Sequence, residues 1–178
     1  MKSMTMSLML LITTTLAACT APSLFPPDTL KGVDQNFDFA HWRMVPNQAD
    51  AKKIQLGGRV IQAETKGENI TIVTAQLPIV DHPAYGPKDV GKRSGEFAIV
   101  YQGKIDPSFL QPGNRIMVIG TTHASRVVSV DDLPKSLPTV KAACVHIWKT
   151  GGRDIADFPS FGAGYETLEE ETFCAAVQ

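Results

Sequence analysis

Few side chains in this sequence could do chemistry. There are three cysteines, Cys19, Cys144 and Cys174, and four histidines, His41, His82, His123 and His146. A thiolate is a nucleophile and a metal ligand, and an imidazole is a base or a ligand. Spacing decides whether such groups act together. Zinc sites bring their ligands in closely spaced pairs. Only His146, two residues after Cys144, approaches that pattern, and no second pair accompanies it. The histidines have no partner at motif spacing. Asp81-His82 are sequence neighbours, which does not make a dyad, and Ser94 lacks the G-x-S-x-G elbow. Gly57-Gly58 lacks the helix-forming segment and lysine that a phosphate-cradling loop needs. These residues imply no enzyme, no cofactor and no metal.

Cys19 has a distinctive setting. Lys2 supplies a positive start, and Met6 to Thr15 is mostly apolar around Leu8, Leu10, Leu11 and Ile12. Leu16-Ala17-Ala18 then leads into Cys19. A charged start, a short apolar run and small residues before a processing point describe a secretory signal. The run falls well short of the roughly 20 residues that a spanning helix requires. Leu-Ala-Ala-Cys resembles a bacterial lipobox at every position. That resemblance implies a diacylglyceryl thioether on Cys19, cleavage before it and a third acyl chain on the new amine. Two or more chains anchor stably, at about 0.8 kcal/mol per buried methylene. The position after the cysteine is Thr20. The aspartate that favours inner-membrane retention in enteric lipoproteins is absent, which leans towards the outer membrane.

Removing residues 1–18 leaves 178 − 18 = 160 residues, the size of one domain. Formal charge is −1 and becomes −2 once Lys2 is lost, so nothing argues for nucleic acid. Three cysteines are an odd number for an exported chain, and lipidation of Cys19 resolves it. Cys144 and Cys174 then remain, in a compartment that favours disulfides. A disulfide is the first reading, two buried thiols the second and a metal site a distant third.

The elements follow in order. Residues 19–32 read as the lipidated cysteine and a proline-bearing tether, with residues 33–178 as one domain. Three prolines within residues 20–29 favour an extended spacer reaching up to roughly 30 Å, although Leu24 and Phe25 could instead tuck against the domain. Phe37, Ala40, His41 and Met44 have the spacing of one helical face, with Asp34 as N-cap and Pro46 as stop. Residues 54–61 and 70–77 alternate as a β-hairpin around the turn at 66–69. Gly57-Gly58 within the first strand suggests a bulge that coils a sheet into a barrel. Further strands are expected at 96–101, 115–121, 127–130 and 140–148, with a bend at 124–126 and a polar connection at 131–138. Cys144, His146 and Trp148 share one face of the last strand, and Val145 and Ile147 the other. Thr167 to Val177 reads as a C-terminal helix. The regular turn spacing implies a mainly β fold: a small antiparallel barrel, OB-like, with a short N-terminal helix.

Several blocks then look familiar together, in order: Gln55 to Val60, Leu77-Pro78-Ile79, Ser94 to Phe97, Ile105-Asp106-Pro107, Pro112 to Arg115, Val118-Ile119-Gly120 and His146-Ile147-Trp148. Behind a lipobox, they resemble the Slp family of outer-membrane lipoproteins. The resemblance implies a periplasm-facing lipoprotein of the outer membrane without settled enzymatic activity, and transfers only Cys19 and the cut before it.

On this reading the chain is a non-enzymatic envelope component held by outer-membrane lipid and docking periplasmic or outer-membrane proteins, within a larger envelope or secretion assembly. The partner site is expected in the polar loop at 81–93, through His82, Tyr85, Lys88, Lys92 and Arg93. Loops of this length are often functional. The alternative is a lipoprotein that binds an oligosaccharide or small ligand on a barrel face, through Arg59, Tyr101 and Arg115.

Overall fold

The computed structural model describes residues 23–47, 50–80, 86–90, 94–158 and 167–176. The fold is mainly β. Two short helices, α1 (Pro27–Leu30) and α2 (Phe39–Met44), precede β1 (Lys53–Lys66) and β2 (Asn69–Leu77). The two-residue strands β3 (Ile79–Val80) and β4 (Gly86–Pro87) pair with each other. Next come β5 (Glu96–Gln102), β6 (Arg115–Val130), β7 (Leu133–Trp148), a 3₁₀ turn (Ile155–Asp157) and β8 (Glu170–Cys174). The main sheet runs β5-β2-β1-β6-β7-β8, and a further pairing of β5 with β7 makes a ring of β1, β2, β5, β7 and β6. The β5–β7 seam is parallel and the ring's other pairings are antiparallel. The sheet is mainly antiparallel, as expected, with this one parallel seam. The five ring strands, with non-sequential neighbours at β5–β7 and β1–β6, fit the OB-like expectation.

Alternation explains the core. Ile54, Leu56, Ile70, Ile72, Phe97, Ile99, Ile116, Val118, Val145 and Ile147 join one buried cluster fed by all five ring strands. Phe39 and Trp42 of α2 pack into it, with the Phe39 and Phe97 rings 5.7 Å apart. The opposite faces are also covered. Met117, Ile119, Cys144 and Trp148 form a second cluster with Phe25, and Val73 and Ala98 a third with Val128, Val130 and Leu137. Burial on both faces is why β6 begins as an unbroken apolar run.

Several local expectations are corrected. The α2 cap is Asp38, whose carboxylate accepts from His41 N at 3.0 Å; Asp34 instead accepts from Asn36 N and Lys52 Nζ. Met44 is exposed, because the helix is a turn and a half and buries Phe39 and Trp42. Gly57 and Gly58 pair in regular register, and the bulge falls between Val60 and Gln62. The glycines serve close approach: a Cβ at Gly58 would collide with Thr74 Cγ2 and the Ala75 carbonyl, and one at Gly57 with Ile79. The bend at 124–126 is a register irregularity between His123 and Arg126, inside one continuous β6. The polar connection at 131–138 is mostly strand. Asp131 and Asp132, with φ of 50° and 62°, make the two-residue turn of a β6–β7 hairpin. Positive φ at both positions is the type I′ requirement. Pro134 and Pro138 fit because β5 pairs with β7 only from Thr139 onward, leaving the earlier edge free.

The C-terminal helix is also corrected. Residues 170–174 form β8 on the edge of β7, with Cys144 opposite Cys174. An open edge and a covalent link override the helix propensity of the Glu-rich run.

Gly58→Ala and Gly120→Ala test the close approaches, since a Cβ at Gly120 would meet the Lys141 carbonyl. Each should cost roughly 1–3 kcal/mol, as overpacking does, read as a lower urea midpoint with unchanged slope.

Candidate functional site

The segment that leads away from Cys19 is part of the folded body. Phe25 is 3 % exposed and packs with Met117, Ile119, Cys144 and Trp148 on the outer face of β6 and β7. Leu24, Leu30 and Val33 pack around it. The single-turn α1 starts with Pro27 at its first position, where the absent N–H costs nothing. Polar contacts fix both ends of this segment. Thr172 Oγ1 donates to Leu24 O at 2.8 Å, Lys53 Nζ donates to Lys31 O at 2.7 Å, and Asp34 N donates to Lys53 O at 2.8 Å. Cys19 lies outside the described residues. It precedes Phe25 by 25 − 19 = 6 residues, and six residues span at most about 20 Å. Of the two expectations for this segment, the one seen is Leu24 and Phe25 tucked against the domain.

Beneath this segment Cys144 and Cys174 form a disulfide between β7 and β8, with Cα atoms 4.0 Å apart. Thr29 Oγ1 lies 3.7 Å from Cys144 Sγ. Two residues along the same face is His146, 4 % exposed, its ring 6.3 Å from Phe25 and 4.2 Å from Trp148. The Thr172 hydroxyl gives its proton to Leu24 O, so at 2.7 Å it accepts from His146 Nδ1. His146 Nε2 then faces Glu170 Oε2 at 3.3 Å. Burial lowers the His146 pKa from its ordinary 6.5, and Glu170 opposes that by favouring the charged ring. Burial prevails, because Glu170 is half exposed and its charge is screened by solvent. The chain His146–Thr172–Leu24 joins β7, β8 and the N-terminal segment.

The base of the 81–93 loop sits on the same side. A Cβ at Gly86 would touch Trp148 and Ile155, so β4 lies against the indole that also packs near Phe25. Pro87 and Ile79 lie over Gly57. Lys88 is half-buried, and its N–H donates to Pro78 O at 3.0 Å. His82, Tyr85, Lys92 and Arg93 lie outside the described residues.

The alternative ligand face is corrected. Arg115 is 1 % exposed, with Nη2 3.3 Å from Asp154 Oδ1 and Nη1 3.5 Å from Gly113 O, and Tyr101 is 2 % exposed. Arg59 is the accessible one of the three, and its Nη1 meets Asp89 at 2.9 Å. Arg115 belongs to the scaffold: beside it Asn114 holds the Phe109 carbonyl and the Gly151 N–H, and Thr150 holds Gly113 O. Among the described residues no group of three or more His, Cys, Asp or Glu side chains could hold a metal ion. Nor is any described helix long and apolar enough to cross a membrane.

The His146–Thr172–Leu24 chain had only a partial signal in the sequence. Alternation puts Cys144, His146 and Trp148 on one face, but what covers that face comes from residues about 25 and 120 positions away.

Comparison with known proteins adds one finding. The description of an outer membrane lipoprotein family, Slp, matches residues 16–165. No curated protein and no solved structure matches the chain.

Removing the disulfide with Cys144→Ala and Cys174→Ala should cost up to about 3.7 kcal/mol for its loop of roughly 30 residues, read as a lower urea midpoint that reductant no longer alters. Acid should destabilise through His146. The unfolded ring takes its proton near 6.5 and the buried ring only at lower pH. Stability is therefore held above 6.5 and falls as pH drops below it, until the folded-state pKa is passed. His146→Gln should flatten urea midpoints measured from pH 7.5 to 5, and Glu170→Gln should lower the His146 pKa further by NMR titration.

Proposed function

The chain belongs to the outer membrane lipoprotein Slp family, and from that premise we propose that it is a periplasm-facing docking component of the cell envelope. In this reading residues 1–18 are the cleaved signal and Cys19 carries the lipid. The folded domain beyond is a non-enzymatic platform for a periplasmic or outer-membrane protein, within a larger envelope assembly.

The observation that carries the reading is the burial of Phe25 and the bond from Thr172 to Leu24. A freely jointed tether would let the domain tumble above its anchor. A segment sealed onto β6, β7 and β8 gives the anchor a defined exit face. The base of the 81–93 loop rests on that same face through Gly86 and Trp148. A partner engaging Lys88 and its neighbours would thus meet this protein close to the membrane surface. Binding gains from such confinement, because a held orientation raises effective concentration and removes part of the ordering cost.

Two measurements test the proposal. Cys19→Ser should move the protein out of the outer-membrane fraction; a variant still found there, unacylated by mass spectrometry, overturns the lipid assignment. A photo-crosslinking residue at position 88 or 92 in intact cells should capture a discrete envelope protein, while one at Val127, on the exposed β6–β7 hairpin, should not. Equal capture from both positions, or none from the loop, overturns the docking assignment.

A further inference from the structure

The second edge of β7 is shared between two strands. Its residues 139–141 pair with β5, ending at Val100 opposite Lys141, and its residues 144–148 pair with β8, beginning at Cys144 opposite Cys174. Between those runs β5 diverges from β8, and an open cleft of about 1210 Å³ lies at the split. Its walls carry Lys104 after β5, Arg126 at the β6 bend and Lys141 on β7, with Glu68 as the one acidic side chain among its described lining residues. Three cations against one carboxylate give the cleft a positive field, opposite in sign to the chain's formal charge of −1.

These cations differ from others on the surface. Lys31, Lys52, Lys66, Lys135 and Lys149 each lie within ion-pair distance of a carboxylate. Lys104, Arg126 and Lys141 form no ion pair among the described residues, and all three are exposed. The amides of Asn69 and Gln102 stand on the same walls, adding neutral donors. A carboxylate brings one charge and two oxygens, which one cation satisfies. A phosphate monoester brings close to two charges and three acceptor oxygens, which fits several cations plus amide donors.

We propose that this cleft binds the phosphate group of a phosphorylated sugar or lipid headgroup. Its position suits the second source. Thr172 lines the cleft and also donates to Leu24 O, so the opening lies beside the segment that runs back to Cys19. The cations reach solvent, so attraction falls with salt. None of the described residues 86–90 lines this cleft, and failure of either assignment leaves the other standing.

The test uses the full acylated protein in neutral detergent micelles, followed by amide NMR. The probes are inorganic phosphate, glucosamine 6-phosphate, and phosphatidic acid doped into the micelles, with glucosamine as the unphosphorylated control. Saturable shifts at Val100, Thr121, Lys141 and Ala143, weakened by added salt, are expected from the phosphate-bearing probes. The probe that saturates at the lowest concentration identifies the source. Arg126→Glu with Lys141→Glu should weaken binding at least about tenfold, while the Ile72 and Ile99 amides report an intact barrel. The proposal is overturned if none of the three probes saturates by about 10 mM, if glucosamine matches its phosphate, or if the double variant binds as the parent does.

Discussion

Everything in this structure depends on one strand having more neighbours than an ordinary strand can have. β7 gives one full edge to β6 and divides the other between β5 and β8. The β5 part closes the ring and so creates an interior that Ile99, Val118 and Val145 can fill together. The β8 part extends the sheet beyond the ring and carries the disulfide. Sixteen residues are enough for this because the strand slips register twice against β6, near Ile119/Gly120 and His123/Arg126. Each slip adds local twist, which lets one long hairpin follow the ring and then leave it. Parallel closure needs partners distant in sequence, and such contacts are entropically expensive until the rest of the ring holds them in place.

The outer face of β6 and β7 is the second consequence. A closed ring buries the inward residues of each strand, yet Met117, Ile119, Cys144 and Trp148 point the other way and are apolar. Left to water, this face would be an exposed patch of the kind that seeks a partner. The N-terminal segment supplies the cover by placing Phe25 there and hydrogen-bonding to β8. Burying a phenylalanine contributes roughly 1.5–3 kcal/mol, which offsets the ordering of only one or two residues at about 1–2 kcal/mol each, so Leu24, Leu30 and Val33 packed beside it share in holding the segment. The segment from Leu24 to Val33 is thereby as much a part of the domain as its strands.

The sequence revealed what depends on local period and turn chemistry. Strands β1, β2 and β5 follow their alternation, the first half of β6 follows its unbroken apolar run, and the turn at Lys66 to Asn69 carries Gly67 at a φ of 64°. What escaped it depends on distant partners. Asp131-Asp132 resembles a polar loop until the β6–β7 pairing shows that both residues form a two-residue turn. The Glu-rich run at 169–171 favours helix until the free edge of β7 and Cys144 claim it. Arg115 reads as a strand-face cation, but the 3₁₀ turn at Ile155–Asp157 brings the half-buried Asp154 across it and Arg115 itself is buried. In each case a local preference worth tenths of a kcal/mol gave way to contacts worth several.

An acyl anchor fixes one point in space and leaves rotation free. Orientation at a bilayer is constrained only if the chain leading from the lipid is held by the fold, and from Leu24 onward the hold is distributed. An aromatic plug, a threonine bonded to both a histidine and a main-chain carbonyl, and a disulfide beneath them lie within one face. No single non-covalent contact there is strong. Because they share residues, loosening Thr172 disturbs Leu24 and His146 together, and such coupled contacts fail as a unit. The face that the segment from Leu24 covers is therefore set by the same β7–β8 pairing that closes the covalent loop.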